Sequence, residues 1–528
     1  MFVNSFINGT DWKNEVTAID RMAKLTKEDI VAFANKYLKE DNYAVIYKKQ
    51  GKDPNEKKMT KPEITPIITN RDVASPFLVE VQESAVKPIE PVFLDYQKDM
   101  SQLKAKSDIP VLYKQNVAND LFQLIYVFDM GNNHDKALGT AFDYLEYLGT
   151  SDMTPEELKS EFYRLACTFY VSPGNERTYV VLSGLNENMP AAVQLFEKLL
   201  ADAQVNKEAY TNMTSDILKA RSDAKLNQGQ NFSRLMSFAM YGPKSPATNL
   251  LTEAELTNMN PQELVDRIHN QNSYKHRILY YGPSSSKDLL ATINQYHQVP
   301  ATLKDIPAGN EYAYLETPVT KVLVAPYDAK QIYMAQISNL DKKYDPAIEP
   351  IRALYDEYFG GGMNSIVFQE MRETRGLAYS AWASIMPPSY LKYPYVLRTQ
   401  IATQNDKMID AVTTFNDIIN NMPESEAAFK LAKDGLTNRL RTERIIKGDI
   451  IWSYINAQDL GQNVDPRIKL YNDIQNMSLK DIVDFQKQWV KGRTYVYCIL
   501  GDKKDLELDK LKAVGPIEEL TQEQIFGY

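Results

Sequence analysis

Residues 358–380 read Y-F-G-G-G-M-N-S-I-V-F-Q-E-M-R-E-T-R-G-L-A-Y-S. The three glycines Gly360–Gly362 allow the backbone to pass where a Cβ would not fit, and we expect them to serve close packing. The run that follows has Ile366, Val367 and Met371 at helical spacing, which predicts a short helix with one apolar face. The stretch therefore predicts a close backbone crossing followed by a helix that packs on a core.

The second half of this stretch separates Arg372 from Tyr379 by seven residues. A turn at Gly376 should end the helix and let Tyr379 begin an extended segment, so that both side chains point into the same space. An Arg in the last turn of a helix and a Tyr at the start of a strand are common, so their spacing alone assigns no function. Arg375 competes with Arg372, and for Arg375 we predict a surface ion pair.

The whole stretch resembles the C-terminal-domain signature of the pitrilysin/insulinase family of zinc metallopeptidases, the inverzincins. The resemblance implies that Arg372 and Tyr379 bind substrate, reaching across a chamber toward a zinc ion that the other half of the enzyme carries. An Arg in that role would donate a fork of hydrogen bonds to a substrate carbonyl or to the oxyanion, and the Tyr would add a phenolic donor.

Three segments of the chain share a capping box, an amphipathic helix and an aromatic-rich strand. They are L-T-K-E-D-I-V-A-F-A-N-K-Y-L-K-E-D-N-Y-A-V-I-Y from Leu25, M-N-P-Q-E-L-V-D-R-I-H-N-Q-N-S-Y-K-H-R-I-L-Y-Y-G from Met259, and M-S-L-K-D-I-V-D-F-Q-K-Q-W-V-K-G-R-T-Y-V-Y-C-I-L-G from Met477. The predicted boxes pair Thr26 with Asp29, Asn260 with Glu263, and Ser478 with Asp481. Repeats more than 200 residues apart indicate whole repeated domains rather than a solenoid.

The repeats divide the chain into five segments with an α+β fold, in which helices pack on mainly antiparallel sheets. Residues 1–51 are the C-terminal tail of a preceding peptidase-like domain, 52–104 a linker with a hairpin around Pro76–Gln82, 105–298 a degenerate peptidase-like domain (domain A), 299–318 a second linker, and 319–528 the domain with the Arg/Tyr motif (domain B). A domain that began at its final helix and strand would expose their apolar face. We therefore expect this chain to be the C-terminal part of a longer protein, or a half that pairs with another.

The family resemblance implies a zinc site built from H-x-x-E-H on a helix and a downstream glutamate. The equivalent helix in domain A is 141–148, where Asp143, Glu146 and Tyr147 stand in the places of His, Glu and His. Tyrosine, with a pKa near 10, is a poor zinc ligand at neutral pH, and no glutamate lies between residues 208 and 253. We expect this chain to bind no metal, and zinc to reside in the partner half.

The four histidines offer no obvious substitute ligand set. His134 lies in a polar turn and should be solvated, while His269 and His276 flank a helix-to-strand turn and should cap the helix. His297 stands apart from the others, without an acid at helical spacing.

Composition excludes several classes of function. The net charge is −9 with dispersed basic residues, which argues against nucleic-acid binding. Cys167 and Cys498 form neither a disulfide framework nor a thiolate zinc site. The sequence has no transmembrane run, no signal peptide, no P-loop and no G-x-S-x-G elbow. The compartment stays undetermined, and a longer parent protein would fit the cell envelope or periplasm.

These observations predict the substrate-binding, chamber-closing half of a zinc metalloendopeptidase that degrades peptides or unfolded polypeptides and is inactive alone. Its expected partners are an N-terminal zinc-bearing half, in the same parent chain or as a separate subunit, and a peptide substrate. The alternative is a catalytically dead, peptidase-like scaffold, against which the retained Arg372 and Tyr379 argue.

Overall fold

The structure, a computed structural model, describes residues 1–41, 43–48, 51, 75–85, 87–329 and 331–528. Residues 52–74 and 86 of the linker predicted at 52–104 therefore lie outside the described residues. The chain divides into an N-terminal unit, Met1–Val86, and a main unit, Lys87–Tyr528, which are described separately.

The N-terminal unit consists of helices. They are α1 (Phe2–Asn8), α2 (Trp12–Val16), α3 (Ala18–Met22), α4 (Lys27–Tyr37) and α5 (Pro76–Glu83). The predicted capping box of Thr26 with Asp29 opens α4, and residues 43–48 follow without helix or strand assignment. The predicted hairpin around Pro76–Gln82 is wrong, because this segment is helical. Its apolar residues alternate as in a strand, but a proline suits the first turn of a helix.

The first sheet of the main unit has the strand order β1-β2-β6-β3-β5-β4. The strands are β1 (Ser101–Lys104), β2 (Pro110–Gln115), β3 (Leu121–Phe128), β4 (Cys167–Pro173), β5 (Thr178–Leu185) and β6 (Arg277–Gly282). Strands β2 and β6 pair in parallel, and the other neighbours pair antiparallel. Strand β1 comes from residues that the sequence assigned to the linker.

The helices of domain A lie between these strands along the chain, except for the last helix, which follows β6. They are α6 (Leu138–Leu145), α7 (Pro155–Arg164), α8 (Met189–Asp202), α9 (Lys207–Lys225), α10 (Gln228–Tyr241), α11 (Glu253–Asn258), α12 (Gln262–Asn270) and α13 (Ser286–Tyr296). The capping box predicted for Asn260 with Glu263 is wrong. Pro261 intervenes, and the Asn260 side chain instead accepts a hydrogen bond from the backbone N–H of Gln262 at 3.2 Å.

The second sheet, in domain B, has the strand order β12-β7-β11-β8-β10-β9. The strands are β7 (Lys321–Pro326), β8 (Gln331–Lys343), β9 (Ser380–Met386), β10 (Pro394–Gln404), β11 (Val496–Gly501) and β12 (Ile517–Glu519). Apart from the edge strands β1 and β12, its order repeats that of the first sheet, with β7 and β11 as the matching parallel pair. The predicted α+β class with tandem, mainly antiparallel sheets is confirmed.

Domain B has its own set of helices. They are α14 (Glu349–Phe359), α15 (Ile366–Phe368), a π-helix (Gln369–Thr374), α16 (Met408–Asn420), α17 (Glu426–Thr442), α18 (Asp449–Asp459), α19 (Pro466–Ile474), α20 (Leu479–Trp489), α21 (Leu508–Leu511) and α22 (Gln522–Phe526). Short 3₁₀ turns lie at Lys106–Asp108, Asn186–Asn188, Pro246–Thr248, Gln271–Ser273 and Asn405–Lys407. The predicted capping box of Ser478 with Asp481 opens α20.

Each sheet is covered on one face by helices of its own domain and on the other by a helix of the other domain. From domain A, α10 packs Phe232, Leu235 and Ala239 onto strands β7, β8 and β11 of the second sheet. From domain B, α18 packs Ile450, Ile451 and Ile455 onto the first sheet. Each domain thus gives one helix to the sheet of the other, an arrangement called here the exchange of α10 and α18. Two hydrogen bonds of 2.6 Å from Arg177 of domain A to Asp459 of domain B add a polar link between the domains.

Candidate functional site

The three glycines lie where helix α14 ends against strand β9. A Cβ at Gly360 would stand 2.1 Å from the carbonyl oxygen of Ala383, and one at Gly361 would stand 2.8 Å from that of Asp356. Gly362, by contrast, has nothing within 4 Å of its Cβ position. Close packing therefore explains the first two glycines, as predicted, but not the third.

Helix α15 and the π-helix follow the glycines and set the direction of Arg372. The side chains of Ile366, Val367 and Met371 are buried, as predicted. The backbone N–H of Leu377 donates to the carbonyl of Met371 at 2.8 Å. Gly376 turns the chain with a φ of 58°, which glycine adopts without strain. The chain thereby returns to enter β9 directly after Tyr379.

This return brings Arg372 and Tyr379 together, as the sequence predicts. The guanidinium carbon of Arg372 lies 4.8 Å from the ring centroid of Tyr379 and 5.0 Å from that of Phe368. The Tyr379 side chain is 75% exposed. Cation–π contacts on two rings limit the positions that a long Arg side chain can occupy. The pair is therefore both held in place and open to solvent.

Carboxylates near Arg372 leave it only loosely paired. Its Nε lies 3.7 Å from Oε1 of Glu373, beyond ordinary hydrogen-bond distance. Arg375 makes a similarly long ion pair with Glu370, at 3.5 Å, and a surface ion pair is what the sequence predicts for it. The partly exposed guanidinium of Arg372 presents a planar fork of N–H donors that suits a carbonyl or carboxylate oxygen.

Sequence reasoning missed Asp356, which fastens α14 to β9. Its carboxylate accepts hydrogen bonds of 2.9 Å from the backbone N–H of Ile385 and from the hydroxyl of Ser384. It also pairs with Arg352 at 2.8 Å. Burial raises the pKa of Asp356 to about 6, although Arg352 opposes the shift. The spacing of Arg352 and Asp356, four residues apart on one helix, is the signal that could have revealed the pair.

The positions equivalent to zinc ligands lie at the end of α6, which stops at Leu145, earlier than predicted. Asp143, Glu146 and Tyr147 are all exposed. Although Asp143 is exposed as a residue, partial desolvation of its carboxyl and the nearby charge of Glu146 raise its pKa. Glu146 lines a cavity of 430 Å³, together with Lys159, Phe162, Tyr163, Cys167, Thr168 and Phe169.

These residues do not fit a zinc ion. The ammonium of Lys159 would repel a dication in the cavity that Glu146 lines, and a phenol is a weak ligand at neutral pH. Across the described part of the chain, no three His, Cys, Asp or Glu side chains are grouped so as to hold a metal ion.

The histidines depart from the predicted arrangement. His134 is half-buried, not solvated as predicted, and its Nδ1 accepts a hydrogen bond of 3.1 Å from the N–H of Gly131. His269 lies 3.1 Å from the carbonyl oxygen of Ala203. His276 and His297 are buried side by side, with their Nε2 atoms 2.9 Å apart. No spacing in the sequence signals this last contact.

A buried carboxylate completes this contact. Nδ1 of His297 lies 2.6 Å from Oε1 of Glu197, and Nδ1 of His276 lies 2.7 Å from the carbonyl oxygen of Tyr274. A carbonyl oxygen only accepts, so Nδ1 of His276 donates to Tyr274, and a neutral His276 then accepts at Nε2 from the Nε2–H of His297. Burial and the neighbouring His297 lower the pKa of His276 to about 3. The network joins α8, α13 and β6 and is structural.

Known proteins resemble this chain along most of its length. Residues 278–436 match the family model described as the peptidase M16 inactive domain. A protein of Helicobacter pylori called non-peptidase homolog YmxG is 23% identical over 422 residues, which cover 76% of this chain and 93% of that protein.

Solved structures share the fold. A peptidase M16 inactive domain from Pseudomonas fluorescens superposes with a TM-score of 0.60 at 15% identity, over 76% of this chain and 98% of that one. The periplasmic protease PqqL from Escherichia coli superposes with a TM-score of 0.61 at 14% identity, over 93% of this chain and 52% of that one.

The predicted resemblance to the pitrilysin/insulinase peptidases, the M16 family, is confirmed, and the matched segment is that of the inactive domain. It runs from β6 to α17 and contains both Arg372 and Tyr379. None of the helices in the described ranges is long and apolar enough to cross a membrane.

Proposed function

We propose that this chain is the substrate-binding, chamber-closing half of a zinc metalloendopeptidase that degrades peptides or unfolded polypeptides. Its match to an M16 inactive domain and its structural similarity to a protease support this role. The partner would be a zinc-bearing half, which supplies the metal and the general base.

The stacked, exposed pair of Arg372 and Tyr379 is the observation that carries this proposal. An inactive domain needs no exposed guanidinium held between two aromatic rings for its own folding. In the assembled enzyme, Arg372 would donate hydrogen bonds to a substrate carbonyl and stabilise the oxyanion that forms from it. The phenol of Tyr379 would add a donor on the same side.

The edge of the second sheet offers the substrate a place to bind. Tyr379 immediately precedes β9, and β9 is the edge strand of its sheet. An extended peptide could pair with such an edge through backbone hydrogen bonds, which supply affinity with little regard to sequence. The Arg–Tyr pair would then act on the bond to be cut.

The test is cleavage of an unstructured fluorogenic peptide by this chain, alone and mixed with the zinc-bearing half from the same source. We expect cleavage in the mixture, abolished by a chelator, and none by the chain alone. Arg372→Ala should lower kcat/KM by roughly 10²-fold or more, the usual cost of a lost oxyanion donor, without lowering the melting temperature.

Arg375→Ala is the matched control, since Arg375 lies three residues away and pairs with Glu370. It should leave cleavage within about twofold of the unmodified mixture, because an exposed ion pair contributes little. Equal cleavage by the Arg372 and Arg375 variants would refute the role given to Arg372.

A catalytically dead scaffold is the second candidate, because a relative that covers most of this chain is called a non-peptidase homolog. In that case the two halves would associate stably, yet no mixture would cleave the peptide.

A further inference from the structure

One face of the second sheet stays partly open beyond α10. This helix packs on β7, β8 and β11, and Val396 of β10 joins the apolar cluster beneath it. Further along β10, Arg398 and Gln400 lie at alternate positions and therefore on the same face as Val396, yet both are only half-buried. Trp382 of the edge strand β9 lies opposite Gln400 and is half-buried as well. We call the three side chains of Trp382, Arg398 and Gln400 the Arg398 face.

Arg398 is held on this face by neutral neighbours. Its guanidinium carbon lies 5.2 Å from the ring centroid of Trp382, and its Nη2 donates a hydrogen bond of 2.8 Å to Oε1 of Gln400. Its Nε is buried and has no hydrogen-bond partner among the described residues. The nearby thiol of Cys498 supplies no negative charge, because burial raises its pKa to about 12. Within the described part of the chain, no carboxylate pairs with this guanidinium.

Other partly buried arginines of the main unit have carboxylate partners. The pairs are Arg177 with Asp459, Arg352 with Asp356, and Arg467 with Asp465. In these three arginines burial is outweighed by the carboxylates and the pKa is raised, whereas burial lowers the pKa of Arg398. Its guanidinium nevertheless stays charged at neutral pH. A partly desolvated charge without a counter-ion costs stability, and an anionic ligand would remove that cost.

We propose that the Arg398 face binds a carboxylate of the peptide substrate, which makes Arg398 a specificity-determining residue. This inference rests on the proposed function, because it names the class of peptide that the chain prefers. A guanidinium binds a carboxylate through two parallel hydrogen bonds. Stacking on Trp382 holds the plane of the guanidinium in one orientation, which favours such a pair.

The position of the Arg398 face favours a peptide over a free anion. Trp382 follows Tyr379 by three residues, so the two lie roughly 10 Å apart along the chain at about 3.3 Å per residue. A peptide bound at the Arg–Tyr pair would therefore place a residue about three positions away over the Arg398 face. The indole of Trp382 offers apolar surface to the stem of that residue, from which an inorganic anion would gain nothing.

The test compares peptides that differ in one carboxylate and bind to the full chain. Three labelled, unstructured peptides share an uncharged sequence: one is blocked at both ends with a single central glutamate, one has glutamine there, and one has glutamine and a free C-terminal carboxylate. Fluorescence anisotropy gives their dissociation constants. A peptide with a carboxylate should bind about tenfold more tightly than the blocked glutamine peptide, as one charge-assisted hydrogen bond supplies. The two carboxylate peptides distinguish a side chain from a chain end as the source.

Arg398→Gln should abolish this preference. Because it removes a charge that lacks a counter-ion, it should not lower the melting temperature. Arg493→Gln is the matched control, since Arg493 is another half-buried arginine of domain B and donates to the carbonyl of Trp489; it should keep the preference. If Arg398→Gln does not fold, Arg398→Lys replaces it. That variant keeps the charge but loses the planar fork, so the preference should fall.

The outcomes separate this inference from the proposed function. A carboxylate preference that Arg398→Gln abolishes, without cleavage by the mixture with the zinc-bearing half, would uphold the inference and refute the proposed function. Cleavage by the mixture without a carboxylate preference, or a preference that survives in Arg398→Gln, would overturn the inference alone. Competition by inorganic phosphate as strong as that by the glutamate peptide would also overturn it, since the face would then bind any anion.

Discussion

Arg372 is held mainly by stacking, with only a long ion pair of 3.7 Å to Glu373, and this arrangement matters for its chemistry. A guanidinium in a tight bidentate pair has few donors to offer a ligand, whereas one that lies against the rings of Phe368 and Tyr379 keeps its donor edge available. Arg375 makes an ion pair of similar length with Glu370, at 3.5 Å. At this scale the site depends on how the neighbouring backbone is held.

Gly360 allows the end of α14 to pass close to β9, and its substitution should destabilise the protein. In Gly360→Ala the new Cβ would stand 2.1 Å from the carbonyl oxygen of Ala383, so α14 and β9 must move apart. We expect a loss of about 1–3 kcal/mol in the free energy of unfolding, as for other overpacked sites. Urea unfolding measures it.

Gly362→Ala is the control for this prediction. Its Cβ would meet nothing within 4 Å, so the free energy of unfolding should change by less than about 0.5 kcal/mol. Similar losses in the two variants would show that the close crossing at Gly360 has no special effect on stability.

At the scale of elements, buried polar links join pieces that are distant in sequence. Asp356 fastens α14 to β9 beside the Arg–Tyr pair. In domain A, His276, His297 and Glu197 join the start of β6 to α13 and α8. These links fix the relative positions of elements that apolar contacts alone would leave free to slide.

The histidine network predicts an acid-dependent stability. The pKa of His276 is about 3 in the folded protein, against about 6.5 in an unfolded chain. Between these values the unfolded state binds more protons, so the contribution of His276 is complete above pH 6.5 and declines as the pH falls toward 3. The decline is at most about 1.4 kcal/mol per pH unit.

Unfolding of the wild type and of His276→Gln in urea at several pH values measures this effect. The stability advantage of the wild type should shrink as the pH falls from 6.5. His269→Gln, which changes an exposed histidine, serves as the comparison. A wild-type advantage that stays constant across this pH range would contradict the role given to His276.

At the scale of the whole main unit, the exchange of α10 and α18 makes the two domains interdependent. Each helix covers a sheet of the other domain, so neither sheet keeps both faces covered without its neighbour. The expected consequence is a single cooperative unfolding transition for residues 87–528.

Ile451→Ala tests this coupling. Ile451 is buried in α18 against the first sheet, so its truncation should cost about 2–5 kcal/mol. Although the contact lies on the first sheet, amide exchange should accelerate equally in β3 and in β8 of the second sheet. Leu431→Ala, at an exposed position of α17, should change neither. Faster exchange confined to the first sheet would show that the domains unfold separately.

Local features of the main unit were predictable from sequence, whereas distant pairings were not. The apolar face of Ile366, Val367 and Met371 and the meeting of Arg372 with Tyr379 follow from spacings of a few residues. The contact between His276 and His297 depends on how β6 and α13 return to each other. Likewise, the periodicity of α10 and α18 predicts an apolar side but not which sheet covers it.

The exchanged helices also constrain how this protein can diversify. A chimera of two relatives joined between residues 299 and 318 would take each domain whole from one parent. Its α10 would then pack on the second sheet of the other parent, and its α18 on the first sheet of the other parent. Recombination at that join should therefore succeed only between parents whose helix and sheet surfaces have changed together. The two domains should therefore be exchanged together and not one at a time.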